Sequence, residues 1–253
     1  MNKWDIPRSA VAVDLTVLTV RDRSLQVLVV TRANPPFQDR IALPGGFLED
    51  GEDLDQAAHR ELAEETGLNG ADLAIRQLRS YGAPDRDPRG RVVSVNYVAL
   101  MPDLPLPVAG GDAKAAHWVP VQDVLSDPDK LAFDHHRLLI DAVDYARSQL
   151  SATTLATKFC PPEFTIAQLR EVYEIVWDVE LDPSNFHRKV TGSRGFLIPT
   201  GTRAEGTGGR PAKLYRAGTG IRLHPALLRD SVTDEPHDTA TSSRRAGKAP
   251  NRR

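Results

Sequence analysis

The stretch GFLEDGEDLDQAAHRELAEETGL, from Gly46 to Leu68, decides the fold of this chain. A glycine turn opens the stretch and a predicted helix follows, beginning near Asp53. Leu54, Ala58 and Leu62 recur at four-residue spacing and therefore form one apolar stripe on that helix. The rest of its surface is dense in carboxylates. The segment thus combines a tight turn with an amphipathic, strongly acidic helix.

Three glutamates project together from the predicted helix at spacings of three and four residues: Glu61, Glu64 and Glu65. Unpaired, these anions would repel one another. A hard divalent cation held by oxygen ligands is the usual reason to gather them, and Mg²⁺ favours a few carboxylates together with phosphate oxygens. We therefore predict that the three glutamates bind Mg²⁺. The alternative for such a charge run is a solvated acidic helix face.

Residues around the carboxylates have predicted structural roles. Arg60 lies four residues before Glu64 and is expected to pair with it, or to reach back to Glu52 and fix the loop. Gly67 is expected to end the helix in a left-handed conformation. Upstream, the Leu-Pro-Gly-Gly segment 43–46 should end a strand and turn the backbone tightly enough for a ligand to approach.

The segment resembles a complete Nudix box: Gly, five residues, Glu, seven residues, then Arg-Glu-aliphatic-x-Glu-Glu-x-Gly-aliphatic. The positions that fill the pattern are Gly46, Glu52, Arg60, Glu61, Leu62, Glu64, Glu65, Gly67 and Leu68. The resemblance implies an α/β fold, the Nudix α/β/α sandwich, that binds a nucleoside diphosphate linked to another group. It often implies hydrolysis of that diphosphate by a metal-activated water. The implied catalytic residues are Glu52, Arg60, Glu61, Glu64 and Glu65.

Composition sets the outer limits. With 253 residues, 40% of them hydrophobic, the chain has room for one large domain and a small one. A net charge of −2 argues against a uniformly nucleic-acid-coating protein. The single cysteine, Cys160, excludes an intrachain disulfide and fits a reducing cytoplasm. Because no long apolar run is present, we expect neither secretion nor a membrane span.

The remaining pattern of the first 150 residues fits the sandwich. The predicted strands are two runs within residues 10–30, then 41–43, 73–81, 91–100 and 117–120, with a loop at 83–90. A second helix is predicted to run to Leu150, with Asp134 as its cap. We assign residues 1–150 to this domain, 151–158 to a linker, 159–225 to a second domain and 226–253 to a disordered basic tail.

The second domain begins with a well-specified helix. Thr165 and Gln168 form a predicted capping box, and Phe164 and Leu169 form a hydrophobic staple. After this helix ends near Asp178, the sequence Asp182-Pro183 predicts a second helix that runs to Gly192, with Phe186 and Val190 facing inward. Two helices joined by a short turn indicate a helix-turn-helix.

A two-stranded wing is predicted next, at 196–199 and 212–216 around a glycine-rich turn. From residue 163 to 182 there are six acidic residues against one arginine, whereas from 185 to 222 eight Lys and Arg oppose one Glu, a balance of plus seven. A basic second helix and wing are typical of a phosphate-backbone binder. Docking of the module to a protein partner is the alternative.

The candidate DNA contacts lie on this basic part. Asn185, Arg188 and Lys189 are placed where a recognition helix meets base edges, and Ser184 and Thr165 suit phosphate. The wing candidates for flanking phosphate or minor groove are Arg203, Arg210 and Lys213.

Taken together, residues 8–223 resemble the Nudix-related transcriptional regulators of the NrtR type, most distinctively in the segments DPSNFHRK and GRPAKLYR. The resemblance implies a homodimeric bacterial repressor of NAD-biosynthesis genes, cytoplasmic and at the nucleoid when bound to DNA. ADP-ribose, bound by the Nudix domain, releases a palindromic operator in that family. Relatives of the same architecture control sugar-utilisation genes through other ligands. A Mg²⁺-dependent pyrophosphohydrolase acting on ADP-ribose, whose second domain serves dimerisation, is the alternative.

For the effector, Arg32 and Arg40 are candidates to meet the diphosphate, and Phe37 is a candidate to stack on adenine. Gly45 and Gly46 are expected to let the ligand approach the backbone. The helix from Asp134 and the connector after it are the expected route from ligand to DNA.

Overall fold

The computed structural model describes residues 8–69, 73–102, 104–111, 113–204, 211–229 and 232. Its strands are β1 (Ala10–Arg21), β2 (Ser24–Arg32), β3 (Ile41–Ala42), β4 (Gly45–Phe47), β5 (Arg76–Tyr81), β6 (Val92–Leu100), β7 (Ala113–Pro120), β8 (Leu197–Arg203) and β9 (Lys213–Ala217). Its helices are α1 (Leu54–Thr66), α2 (Val121–Leu125), α3 (His135–Ala152), α4 (Ile166–Trp177) and α5 (Pro183–Gly192), with a 3₁₀ turn at Leu155–Phe159.

Strands β1 to β7 form one mixed sheet in the order β3-β2-β1-β6-β5, with β4 paired to β1 and β7 paired to β2. Strands β1 and β6 run parallel, and β1 and β2 form an antiparallel hairpin. The predicted α/β/α fold is confirmed. Strand β7 is longer than the expected 117–120, and both β4 and the short α2 lie in segments for which no element was predicted.

Alternation along the strands builds two cores on opposite faces of the sheet. Val13, Leu15 and Val17 of β1 pack with Leu62 of α1 in one cluster. Leu18 of β1 belongs to the other cluster, together with the buried face of α3. Helices α1 and α3 therefore cover the two faces of the sheet.

Helix α3 carries the predicted apolar face; its buried residues are His135, Leu138, Leu139, Ala142, Val143, Ala146 and Leu150. Asp134 occupies the N-cap position, as expected, but its side chain makes no capping hydrogen bond. Its carboxylate accepts two hydrogen bonds from Arg86 instead. The ion pair is charge-assisted on both sides and so replaces the weaker bond to a neutral amide.

The winged module is built as predicted. Thr165 and Gln168 form a reciprocal capping box at the start of α4, and Asp182 caps α5 by accepting from the Asn185 amide at 2.6 Å. Tyr173 is the centre of an aromatic cluster, with ring centroids 4.8 Å from Trp177 and 5.3 Å from Phe186. Strands β8 and β9 pair as the wing.

The carboxyl end of α3 is capped by the second domain. The last carbonyls of a helix have no partner within it. Here the Tyr173 hydroxyl donates to the Leu150 carbonyl at 3.1 Å. The Leu227 amide donates to the Ser151 carbonyl, and the Leu223 amide to the Ala152 carbonyl, both at 2.9 Å. One apolar cluster runs without a break from the sheet through α3 into the winged module.

The segments assigned as linker and tail are partly packed. Helix α3 continues to Ala152, and Ala156 in the 3₁₀ turn is fully buried. Beyond residue 225, at which the predicted module ends, Leu227 and Val232 belong to the apolar cluster. Residues 233–253, most of the predicted basic tail, lie outside the described residues. Among the described helices, none combines the length and apolar character that crossing a membrane demands.

We predict that Tyr173→Phe lowers the free energy of unfolding by about 1–3 kcal/mol, because the buried Leu150 carbonyl loses its partner. Urea denaturation measures the loss. The control is Tyr145→Phe on α3, since the Tyr145 hydroxyl makes no hydrogen bond within the described residues. Its expected effect is within about 0.5 kcal/mol. Equal losses in the two variants would contradict the capping role of Tyr173.

Candidate effector cavity and DNA-binding surface

Arg60 is the hub of the Nudix box. Its guanidinium donates to both carboxylate oxygens of Glu52, at 2.8 and 2.9 Å, to Glu61 at 2.8 Å and to Glu64 at 3.2 Å. It also donates to the Phe47 carbonyl at 3.1 Å. Both pairings foreseen for Arg60 therefore form together. The hydrogen bond to Glu52 is the largest of the effects that raise the pKa of Arg60, and the same bond lowers the pKa of Glu52.

The ends of α1 hold this hub in place. Asp53 and Gln56 form a capping box at the start of the helix, and Gly67 ends it with a φ of 67°. Ahead of the helix, a Cβ on Gly46 would lie 2.1 Å from a carboxylate oxygen of Glu61. A side chain at this position would therefore displace the Glu61 carboxylate from its place beside Arg60, and glycine avoids that displacement.

Glu65 is set apart from the other glutamates of the box. Its carboxylate is buried and accepts one hydrogen bond, at 2.9 Å, from the Gly45 amide. Burial raises its pKa to about 8, and the nearby charges of Glu61 and Asp14 act in the same direction. In the folded protein this side chain therefore holds a proton near neutral pH.

The predicted Mg²⁺ ligands share one wall of the cavity but face different partners. Glu61 and Glu64 are turned to Arg60, and Glu65 is turned to the Gly45 amide. Within the described ranges, no three His, Cys, Asp or Glu side chains are grouped as they would be around a metal ion. Their oxygen chemistry suits a hard cation, which would take a diphosphate oxygen as a further ligand and would favour the ionised form of Glu65.

A cavity of about 360 Å³ opens beside the box, a volume in the range of small-ligand sites. Of the predicted effector residues, Arg32, Gly45 and Gly46 line it. Arg32 donates to the Pro36 carbonyl at 2.9 Å, and its guanidinium lies 4.8 Å from the centre of the Phe133 ring.

Phe37 and Arg40 are not among the residues that line this cavity. The Phe37 ring packs edge-on against Phe133, with centroids 4.8 Å apart, and Arg40 donates to the Leu131 carbonyl at 3.0 Å. Phe133 thus presents the aromatic surface to the cavity, where Phe37 was expected to present it.

A buried polar network forms the floor of the cavity. Arg86 donates to Asp134 at 2.7 and 3.0 Å and lies 3.4 Å from Asp14. His135 accepts from the Leu43 amide through Nδ1 at 3.0 Å, so its ring proton is on Nε2, 3.3 Å from Asp14. Burial alone would raise the pKa of Asp14, but His135, Arg86 and a hydrogen bond from Ser94 together lower it to about 2.

The second candidate site is the exposed side of α5 and the wing. Phe186 and Val190 are buried, as predicted, whereas Ser184 and Arg188 are exposed. Arg188 donates to the Asn185 side-chain oxygen at 2.6 Å, so these two candidates act as one unit. Lys189 is half-buried on the same helix.

Candidates outside α5 have mixed surroundings. The Thr165 hydroxyl accepts from the Gln168 amide at 3.2 Å as part of the capping box. On the wing, Arg203 and Lys213 are exposed, and Arg203 donates to the Pro211 carbonyl at 2.9 Å. Arg210 lies outside the described residues.

Comparison with known proteins agrees with both halves of this architecture. A NUDIX domain model matches residues 10–142, and an NrtR DNA-binding winged helix domain model matches residues 156–217. The ADPR responsive transcriptional repressor NtrR of Acinetobacter baylyi is 36% identical over 216 residues, which are 85% of this chain and 84% of the relative. The chain belongs to the NrtR-type family of Nudix-related transcriptional regulators.

Two further relatives of this NrtR-family chain are informative. Shewanella oneidensis NrtR complexed with a 27mer DNA is 32% identical, with a TM-score of 0.62 over 82% of this chain and 93% of that one. The NUDIX domain of the same protein with ADP ribose is 35% identical, with a TM-score of 0.52 over 58% and 94%. The ADP-ribose pyrophosphatase of Methanocaldococcus jannaschii is 39% identical over 134 residues, 52% of this chain and 72% of the relative.

Several cavity residues of this NrtR-family chain were not predicted from the sequence: Asp14, Phe47, Arg86, Arg89, Phe133 and His135. Arg86 and Arg89 belong to the PDRDPRG segment 84–90, which its Pro, Asp and Gly content marks only as a loop. Its alternating charges were the one local signal. Arg89 pairs with Asp87 and lies over the Phe47 ring, 4.8 Å from its centre.

We predict that Glu65→Gln makes stability less dependent on pH. An acid with a raised folded pKa favours its protonated form in the folded state, so the wild type loses stability as pH rises from about 4.5 to about 8. Relative to wild type, the Gln variant should gain stability across this window and keep the gain above it. Urea denaturation in EDTA at several pH values measures the difference.

Glu64→Gln is the matched control, because the Glu64 side chain is 54% exposed and solvent screens its charge. A wild type and a Glu65→Gln variant with parallel pH profiles would refute the buried, protonated state of Glu65.

Proposed function

We propose that this protein is a DNA-binding transcriptional repressor whose Nudix domain senses ADP-ribose, and that the bound ligand releases it from operator DNA. The observation that carries the proposal is helix α3. Its first turn supplies His135 to the cavity, and its last carbonyls are capped by the winged module. Helix α3 thus contacts both the ligand cavity and the module that carries the candidate DNA-binding surface.

The ligand assignment rests on the chemistry of the cavity and on the relatives. Arginines on its wall suit a diphosphate, and Phe133 and Phe47 offer flat apolar surface for a base. The response of the Acinetobacter relative to ADPR and the ADP ribose bound to the Shewanella NUDIX domain support ADP-ribose.

The regulated genes are those of NAD biosynthesis, by the family resemblance. The operator is palindromic and is bound by a homodimer, since two half-sites at fixed spacing require two recognition helices. The protein acts in the bacterial cytoplasm, at the nucleoid when bound to DNA. If ADP-ribose binds one arrangement of the two winged modules more tightly than the other, it shifts the equilibrium between them. The size of the shift equals the difference between the two binding free energies.

A second activity is favoured by the Nudix box, in which Arg60 joins Glu52, Glu61 and Glu64. We propose that Mg²⁺-dependent hydrolysis of ADP-ribose is retained beside regulation, as the similarity to the ADP-ribose pyrophosphatase of Methanocaldococcus jannaschii suggests. Glu61, Glu64 and Glu65 are the residues that would hold the ion, which supplies charge neutralisation and an activated water when bound.

A mobility shift on the promoter of an NAD-biosynthesis operon tests both activities, with and without ADP-ribose and with AMP assayed in the same tube. We expect a specific shift that ADP-ribose reverses. Absence of a specific shift at moderate salt would refute the repressor. A shift that ADP-ribose reverses without release of AMP would refute the proposed hydrolysis and leave the repressor proposal intact.

We predict that Glu64→Gln separates the two activities. It should abolish AMP release with Mg²⁺ present, because one ligand is lost, while ADP-ribose still reverses the shift. Folding should survive, since the Arg60–Glu64 pair is solvent-exposed on the Glu64 side. Loss of the ligand response together with AMP release would show that turnover, and not binding, drives release from DNA.

We predict that Lys213→Ala on the wing lowers the affinity for operator DNA and the affinity for random DNA by the same factor. Loss of a phosphate contact should also reduce the slope of log affinity against log salt by about 1. Lys130→Ala, which removes an exposed lysine of the Nudix domain, is the charge control and should leave both affinities unchanged. A selective loss for operator DNA would assign Lys213 to base reading.

A further inference from the structure

Arg86 contacts the residue that precedes the first turn of α3, beside the contacts that His135 makes with Leu43 and Asp14. Arg86 makes a two-pronged contact with Asp134, at 2.7 and 3.0 Å, and its side chain is only 4% exposed. Asp134 itself is 26% exposed and caps nothing within α3. The ion pair is therefore the polar link between the N-terminus of α3 and the 83–90 loop.

Arg86 also retains donor capacity. A guanidinium carries five N–H groups, and those of Arg86 that are engaged belong to Nε and one terminal nitrogen. Within the described residues, no hydrogen bond from its other terminal nitrogen is seen. Since Arg86 lines the cavity, an anionic ligand that reaches it meets unused donors.

Two other arginines that line the cavity, Arg60 and Arg89, already pair with carboxylates of their own, and Arg32 donates to the Pro36 carbonyl. Arg60 serves Glu52, Glu61 and Glu64, and Arg89 holds both oxygens of Asp87. These partners belong to α1 and to loops, and none of them belongs to α3. An anion that competes for Arg86 therefore acts on the N-terminus of α3 through Asp134.

We propose that Arg86 receives an anionic group of the bound ligand, the diphosphate if the proposed function holds, and that this contact draws Arg86 away from Asp134 and loosens the N-terminus of α3. Arg86 is then the residue that binds the negative charge of the ligand. Asp134 is the positioning residue that competes with the ligand for Arg86. Because the far end of α3 is capped by the winged module, the loosened helix alters how that module is held.

The competition has a thermodynamic signature. If the Arg86–Asp134 contact favours the DNA-binding state and opposes the ligand, its removal must strengthen ligand binding and weaken DNA binding together. A merely structural contact, once removed, weakens both.

Asp134→Asn tests the inference, because it removes the charge and keeps the size of the side chain. Two quantities are measured on the full chain: ADP-ribose affinity by calorimetry, and operator affinity with and without saturating ADP-ribose. We expect ADP-ribose to bind several-fold more tightly and operator DNA to bind more weakly without ligand. The ratio of the two operator affinities should fall from the roughly 5- to 150-fold typical of coupled sites toward 1.

Asp141→Asn is the matched control. Asp141 is another α3 aspartate with charged partners, Arg79 and Arg137, but it lies away from the cavity. It should leave ADP-ribose affinity and the operator ratio at wild-type values. Thermal melting of both variants checks that the fold is retained.

Arg86→Lys gives the second arm. It keeps the positive charge for Asp14 but loses the two-pronged geometry, so ADP-ribose should bind at least tenfold more weakly than to wild type. The affinity for AMP, which has a single phosphate, should fall by a smaller factor.

The outcomes separate the two proposals. A wild type whose operator affinity ignores ADP-ribose overturns the proposed function and this inference with it. A responsive wild type with an unchanged ratio in Asp134→Asn overturns only the inference. Weaker ADP-ribose binding in Asp134→Asn, at a retained ratio, also overturns it.

Discussion

The carbonyl groups at the carboxyl end of α3 need partners, and the second domain supplies them. A buried helix end without partners is costly, because each bare carbonyl loses its hydrogen bond to water. Here a tyrosine hydroxyl from α4 and two backbone amides from the chain after the wing fill these positions. The apolar face of α3 also connects the two domains, since its buried residues pack with the sheet core and with the aromatic cluster around Tyr173. The relative position of the two domains follows from these contacts.

The cavity shows how buried charge is tolerated at the opposite end of the helix. Arg60, Arg86 and Arg89 each face carboxylates, so most of the charged groups on the wall are paired. Glu65 is the exception. Burial raises its pKa to about 8, and the neighbouring charges of Glu61 and Asp14 act in the same direction. Because Asp14 is kept ionised by His135 and Arg86, two carboxylates of one cavity have opposite protonation states.

Local rules predicted what lies close in sequence. The capping box at Thr165, the left-handed end at Gly67 and the contacts of Arg60 all involve residues within one or two helical turns or one short loop. Contacts across the fold were not accessible in this way. Arg86 meets Asp134 across 48 residues and His135 meets Leu43 across 92, and no spacing rule reaches so far. Arg40 was predicted to meet the ligand because it precedes the glycine turn, and Phe37 because it lies in the loop between Arg32 and Arg40. Phe37, however, adopts a φ of 59° and its ring packs on Phe133 instead of lining the cavity.

The capped end of α3 bears on how such a protein is assembled in evolution. A Nudix domain cut after Ala152 keeps its sheet but leaves the Leu150, Ser151 and Ala152 carbonyls bare, so the last turn of α3 frays into solvent. A winged module joined to a different Nudix domain must find a helix of matching length and phase to cap. Because α3 also covers one face of the Nudix sheet and supplies His135 to the cavity, a recombined protein has to preserve the contacts of this helix on both sides.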